Sequence, residues 1–153
     1  MLPKTTNSAS EEVTTFATQG YRRAARRGAW RIAGDLPSSF RYAAQGLIYS
    51  FKSQRNFRIH IFIGILVFGL GLWLELSFSN LAVLVLTVTA VLVLELLNTA
   101  IEAVVDLAIG RRFHTLARIA KDCSAAAVLV ASISSLLIAA LLLLPPLLIR
   151  IGL

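Results

Sequence analysis

Cysteine and methionine are each present only once in this 153-residue chain, and charged residues make up only 15% of it. A lone cysteine, Cys123, excludes an intramolecular disulfide. Followed by Ser124 and an alanine run, it reads as a small packing residue rather than a reactive thiol. No alternating strand pattern, internal repeat, P-loop GxxxxGK[ST] or protein-kinase glycine loop is found. No apolar h-region precedes Ser39, so the chain reads without a secretory signal peptide.

Hydrophobic residues make up 57% of the chain, and the mean hydropathy is +0.76. The long uncharged runs match the length needed to cross a bilayer. The net charge of +7 could suggest nucleic acid, but its placement argues against that partner. Ten of the fifteen Lys and Arg residues lie at or before Arg58. Arg111, Arg112, Arg118 and Lys121 share one later loop, and only Arg150 lies elsewhere. Cations gathered on alternate sides of spans follow the positive-inside rule and attract anionic lipid.

Residues 1–37 read as a basic, disordered cytoplasmic tail, whose YRRAARRGAWR stretch could dock on anionic headgroups. From Ser38 to about residue 56, Phe40, Ala43, Ala44, Leu47, Ile48 and Phe51 recur at helical spacing. This predicts an amphipathic helix on a membrane surface, preceded by Pro37 and capped by Ser38 or Ser39. Three spans are expected, at about 59–76, 81–109 and 121–144. Trp73 anchors the first at an interface, beside Glu75 in the headgroup region. Ser77–Asn80 turns outside, and Gly110 ends the second span. Pro145-Pro146 ends the third, whose start, CSAAAVLVAS, suits close helix approach. The fold class is all-α: a surface helix and three transmembrane helices, N-terminus inside.

The second span carries the chemistry. Glu95, Asn98, Glu102 and Asp106 stand at i, i+3, i+7 and i+11, within an arc of roughly 80°. Carboxylates are costly at bilayer depth and normally face a bundle interior or a reactive site. Twenty-nine helical residues measure about 43 Å, against roughly 30 Å of hydrocarbon, so the acidic row climbs from the inner leaflet to the surface. Phosphoryl transfer needs a base, an oxygen-held divalent ion and neutralised phosphate charge. Glu95, the deeper carboxylate, suits the base, and Glu102 suits Mg²⁺. Asp106 reads as a structural partner of Arg111 or Arg112. His60 is placed at the interface without a role. A different class, a proton- or ion-conducting helical oligomer, would use the same carboxylates as a relay.

ELLNTAIEAVVDL resembles the signature of the small bacterial integral-membrane lipid kinases, the diacylglycerol kinase and undecaprenol kinase family. AKDCSAAAVL, residues 120–129, and RNFRIH, residues 55–60, resemble its other motifs. The resemblance covers about residues 40–144. It implies a homotrimer in the cytoplasmic membrane, with active sites shared between protomers, transferring the ATP γ-phosphate to a lipid hydroxyl. It implies Glu95 as catalytic base, Asn98 as polar site partner and Glu102 as metal ligand. Lys121 and Asp122, with Arg112, Phe113 and His114, are implied to contact nucleotide. Where many members have a second metal-binding Glu, an ungapped match places Gln54, whose amide can coordinate Mg²⁺ but brings no charge.

Overall fold

The structure is a computed structural model that describes residues 36–110 and 112–152. The expected basic tail lies almost wholly outside the described residues, as does Arg111. The chain divides into two units, residues 1–46 and 47–153. The described residues form four helices: α1 (Leu36–Ser53), α2 (Arg55–Trp73), α3 (Phe78–Ile109) and α4 (Thr115–Ile151). The last three are long and apolar enough to cross a membrane, as expected for an all-helical protein with three spans.

Helix α1 begins at Leu36, so Pro37 lies in its first turn, where a missing N–H costs nothing. Ser38 and Ser39 are therefore inside the helix rather than capping it. Phe40, Leu47, Ile48 and Phe51 are all about half exposed or more, a bare apolar stripe as an interfacial helix requires. The helix stops at Ser53, short of residue 56. Gln54 is extended, with φ −102° and ψ 115°, and α2 starts at Arg55. Arg58 stabilises this break. Its guanidinium donates to the carbonyls of Phe51 and Lys52, at 3.0 and 3.1 Å, which the end of α1 leaves without helical donors.

Buried residues on α2 are Phe57, Gly64 and Gly71, spaced by seven on one face. A Cβ on Gly64 would lie 2.6 Å from Val88 Cγ1. The bare glycine thus allows α2 and α3 to approach, as small residues do in membrane bundles. The α2–α3 turn is closed by Leu76 N–H to Gly71 O and Glu75 N–H to Leu72 O, both 3.0 Å. Such a closure needs a left-handed residue, and Glu75 supplies it at φ 56°. Ser77 then caps α3, accepting from Asn80 N–H at 3.4 Å, so Asn80 belongs to the helix rather than the turn.

Helix α3 packs most extensively on α4, less on α2, and α2 meets α4 only lightly. Leu74, Leu84, Ala139 and Leu143 form the core at the end holding Trp73, Phe78 and Ile151. Helix α4 does not end at Pro145-Pro146 as expected; it continues to Ile151, where Gly152 ends it at φ 83°. Two missing N–H donors are outweighed by the contacts beyond them. Leu147 packs against the core. Arg150 lies 4.7 Å over the Trp73 ring and 3.8 Å from Glu75 Oε1. Leu86, Leu136 and Leu141 remain mostly exposed on the flank, a lateral surface suited to lipid.

Candidate active site

The acidic row on α3 runs from buried to open. Glu95 is 3% exposed, Asn98 and Glu102 are half-buried, and the Asp106 side chain is 62% exposed. One helix thus presents carboxylates to a graded environment over about 16 Å of rise.

Glu95 faces a cavity of about 330 Å³ whose polar lining includes Asn56, His60, Asn98 and Ser132. Its Oε1 is buried and accepts no hydrogen bond among the described residues. His60 Nε2, from α2, stands 3.3 Å from that oxygen without being aligned to bond it. His60 therefore belongs to the site, although its position near a span end had suggested only an interfacial residue. Its sequence signal was real: it ends the RNFRIH segment, six residues after the Gln54 break. What the sequence lacked was the pairing of helix faces.

Asn98 holds the middle of the row. Its Nδ2 donates to Glu102 Oε1 at 3.1 Å, and its Oδ1 accepts from Ser124 Oγ at 2.6 Å. Ser124, buried on α4, was hidden in a run of small residues that reads simply as packing. Buried polar side chains are kept when hydrogen-bonded, and this pair crosses from α3 to α4.

At the open end, Asp106, Arg112, Phe113, His114, Lys121 and Asp122 line a cleft of about 470 Å³, with Arg118. The structure brings together the loop and α4 residues expected to meet nucleotide. Asp106 pairs with Lys121 Nζ at 2.9 Å rather than with Arg112, while Arg111, the other expected partner, lies outside the described residues. The reason is that α4 starts at Thr115, not near residue 121. Its first turns therefore run beside α3, capped by His114 Nδ1, which accepts from Leu116 N–H at 3.2 Å. Gly110 permits the reversal, at φ 60° and ψ −126°. Arg118 and Asp122 form an exposed i,i+4 pair at 3.4 Å.

Gln54 lines neither cavity. It sits half-buried at the α1–α2 break, with its N–H on Ser50 O at 2.8 Å. Among the described residues no three His, Cys, Asp or Glu side chains cluster closely enough to cage a metal.

A buried carboxylate open to a cavity, a second one braced by an amide, and a cationic cleft beyond them describe a membrane-embedded enzyme acting on phosphate. Comparison with known proteins makes this specific. Residues 41–143 match the family model for prokaryotic diacylglycerol kinase, and the chain belongs to that family of lipid kinases. It is 51% identical over 136 residues to a diacylglycerol kinase of Synechocystis sp., covering 89% of this chain and 78% of that one. It is 39% identical over 97 residues to an undecaprenol kinase of Bacillus subtilis, covering 63% and 78%. A diacylglycerol kinase of Escherichia coli is 35% identical over 92 residues, covering 60% and 75%. Membership implies ATP as phosphoryl donor and a divalent cation, in a multi-pass membrane protein. The ion-conducting alternative is not favoured.

Proposed function

We propose that this protein transfers the γ-phosphate of ATP to the hydroxyl of diacylglycerol or undecaprenol at the cytoplasmic face of the membrane. One observation carries the reading: Glu95 Oε1 is buried, unbonded among the described residues and open to a cavity. Such an oxygen is placed to take a proton from an incoming hydroxyl, the task of a general base.

In this mechanism Glu95 accepts the acceptor's proton while its oxygen attacks the γ-phosphorus in line. Asn98 lines the same cavity and braces Glu102. Arg112 and Lys121 supply positive charge to the nucleotide phosphates, His114 offers its Nε2 as a donor, and Phe113 offers a ring to the base. Asp122, paired with Arg118, keeps that arginine at the cleft.

Mg²⁺ usually takes one or two protein carboxylates and completes its shell with water and substrate phosphates. A single Glu102 braced by Asn98 fits that open style of binding. Glu102 would hold the ion, and Gln54, which lines neither cavity, is the weaker candidate. When bound, the ion neutralises charge on the transferring phosphoryl group.

The proposed assembly is a homotrimer with sites shared between protomers, its N-terminus cytoplasmic because the basic residues flank that side. The test is Glu95→Gln in detergent micelles with labelled ATP and Mg²⁺, offering diacylglycerol and undecaprenol side by side. Transfer should fall by about 10²- to 10⁴-fold. A near wild-type rate would remove Glu95 as the base, and the favoured lipid in the native protein identifies the acceptor.

A further inference from the structure

Phosphoryl transfer from ATP to an alcohol releases one proton, and the group that takes it here is buried. The Glu95 side chain is only 4% exposed. After each transfer it holds a proton that must leave before another acceptor can be activated. His60 Nε2 lies 3.3 Å from Glu95 Oε1, and its side chain is 24% exposed. Both line the same cavity, and among its lining residues they alone can titrate. The remaining polar lining is Asn56 on α2, Asn98 on α3 and Ser132 on α4, none of which exchanges protons readily near neutral pH. Imidazole does, which is why histidine so often shuttles protons.

From this geometry we infer that His60 is the proton exit of Glu95. The inference rests on the reading of Glu95 as base. In the transfer step the acceptor O–H bond breaks, its proton passing to Glu95 Oε1 and its oxygen bonding the γ-phosphorus. The bond from that phosphorus to the bridging oxygen breaks, and its electron pair leaves with ADP. The proton then moves from Glu95 to His60 Nε2 once the imidazole turns its lone pair onto that oxygen, and the imidazolium releases its Nδ1 proton to water. Glu95 is left ionised, and His60 neutral with its proton now on Nε2. Exchange with water returns that proton to Nδ1 before the next cycle. His60 acts through Glu95, so it relays and positions without touching substrate.

The experiment uses the full chain in mixed micelles, with dioleoylglycerol and undecaprenol as separate acceptors and labelled ATP with Mg²⁺. His60→Gln keeps an amide near the Nε2 position but cannot carry a proton. Its single-turnover transfer should stay within about twofold of wild type, because Glu95 can still take one proton. Steady-state turnover should fall by about 10- to 100-fold and rise again, saturably, with added imidazole at constant ionic strength. His60→Ala, which leaves room for imidazole, should be rescued more strongly and serves if the glutamine variant folds poorly. Wild type should not respond to imidazole.

Unchanged steady-state turnover in His60→Gln overturns the relay. So does a loss equal in single and multiple turnovers that imidazole does not restore, which would mark a purely structural contact. Glu95→Gln run in parallel separates the two readings. Its inactivity alongside a normal His60→Gln removes the relay alone, whereas its normal activity removes the base and the relay together.

Discussion

Ser124 Oγ lies 2.6 Å from Asn98 Oδ1, joining α4 to α3 at the middle of the acidic row. Glu102 Oε1 can only accept, so it fixes Nδ2 on its side of the Asn98 amide. Oδ1 is thereby left facing α4, where the serine hydroxyl holds it. The carboxylate proposed to hold the cation is therefore aimed from the neighbouring helix. Ser124→Ala should release the amide and raise the Mg²⁺ concentration for half-maximal activity by about 10-fold, as loss of a ligand's supporting partner commonly does. Titration of activity with Mg²⁺ at fixed ATP checks this. The KM for lipid should not move.

Lys121 and Asp106 are close, at 2.9 Å, but exposed, so their pairing adds little to folding. Lys121→Met should leave the unfolding temperature in detergent unchanged and raise the KM for ATP by about 10-fold, the weight of one charge-assisted hydrogen bond. Asp106→Asn frees the ammonium and should not raise that KM. Initial rates at varied ATP distinguish the two.

Gly64 is where α2 and α3 come closest to being overpacked. The 2.6 Å approach of an added Cβ to Val88 Cγ1 predicts that Gly64→Ala costs about 1–3 kcal/mol. Because the obstruction is one side-chain methyl, adding Val88→Ala should recover most of the loss. Reversible unfolding in mixed micelles across the four-member cycle measures the coupling.

Glu75 occupies the left-handed position of the α2–α3 turn at φ 56°. An L side chain there costs roughly 1–2 kcal/mol, partly offset in a glycine variant by greater freedom of the unfolded chain. Loss of the exposed pair with Arg150 offsets part of the gain, so Glu75→Gly should stabilise the protein by about 0.5 kcal/mol, read by the same unfolding measurement. Kinase activity should be unaffected, since Glu75 lies at the end of the bundle opposite the cleft.

Much of the candidate site's geometry could be read without coordinates because the residues proposed for it largely share one helix. Glu95, Asn98, Glu102 and Asp106 have angular positions set by 3.6 residues per turn, and the buried-to-open gradient along them follows from rise alone. The loop residues Arg112, Phe113 and His114 follow that helix directly, and the Lys121-Asp122 pair comes about two turns into α4. Partners from other helices were not readable in the same way. His60 and Ser124 meet the row only because α2 and α4 present particular faces to α3. Those faces depend on where Gly64 allows approach and where Leu84 and Leu143 pack. Helix ends were misjudged for a related reason. Gln54 and Pro145 look locally like a continuing helix and a terminator, yet Arg58 holds a break at the first and Arg150 anchors a helix past the second.

Composition and helical periodicity by themselves determined that this is a three-span membrane protein with an acidic stripe on its middle span. Apolar length and angular spacing are local properties of the chain. Tertiary structure alone decided which stripe carboxylate keeps a buried oxygen unbonded among the described residues, which histidine stands beside it, and which serine meets the asparagine between the carboxylates. Those relations depend on the rotation and separation of neighbouring helices, set by many side-chain contacts acting together rather than by any one segment.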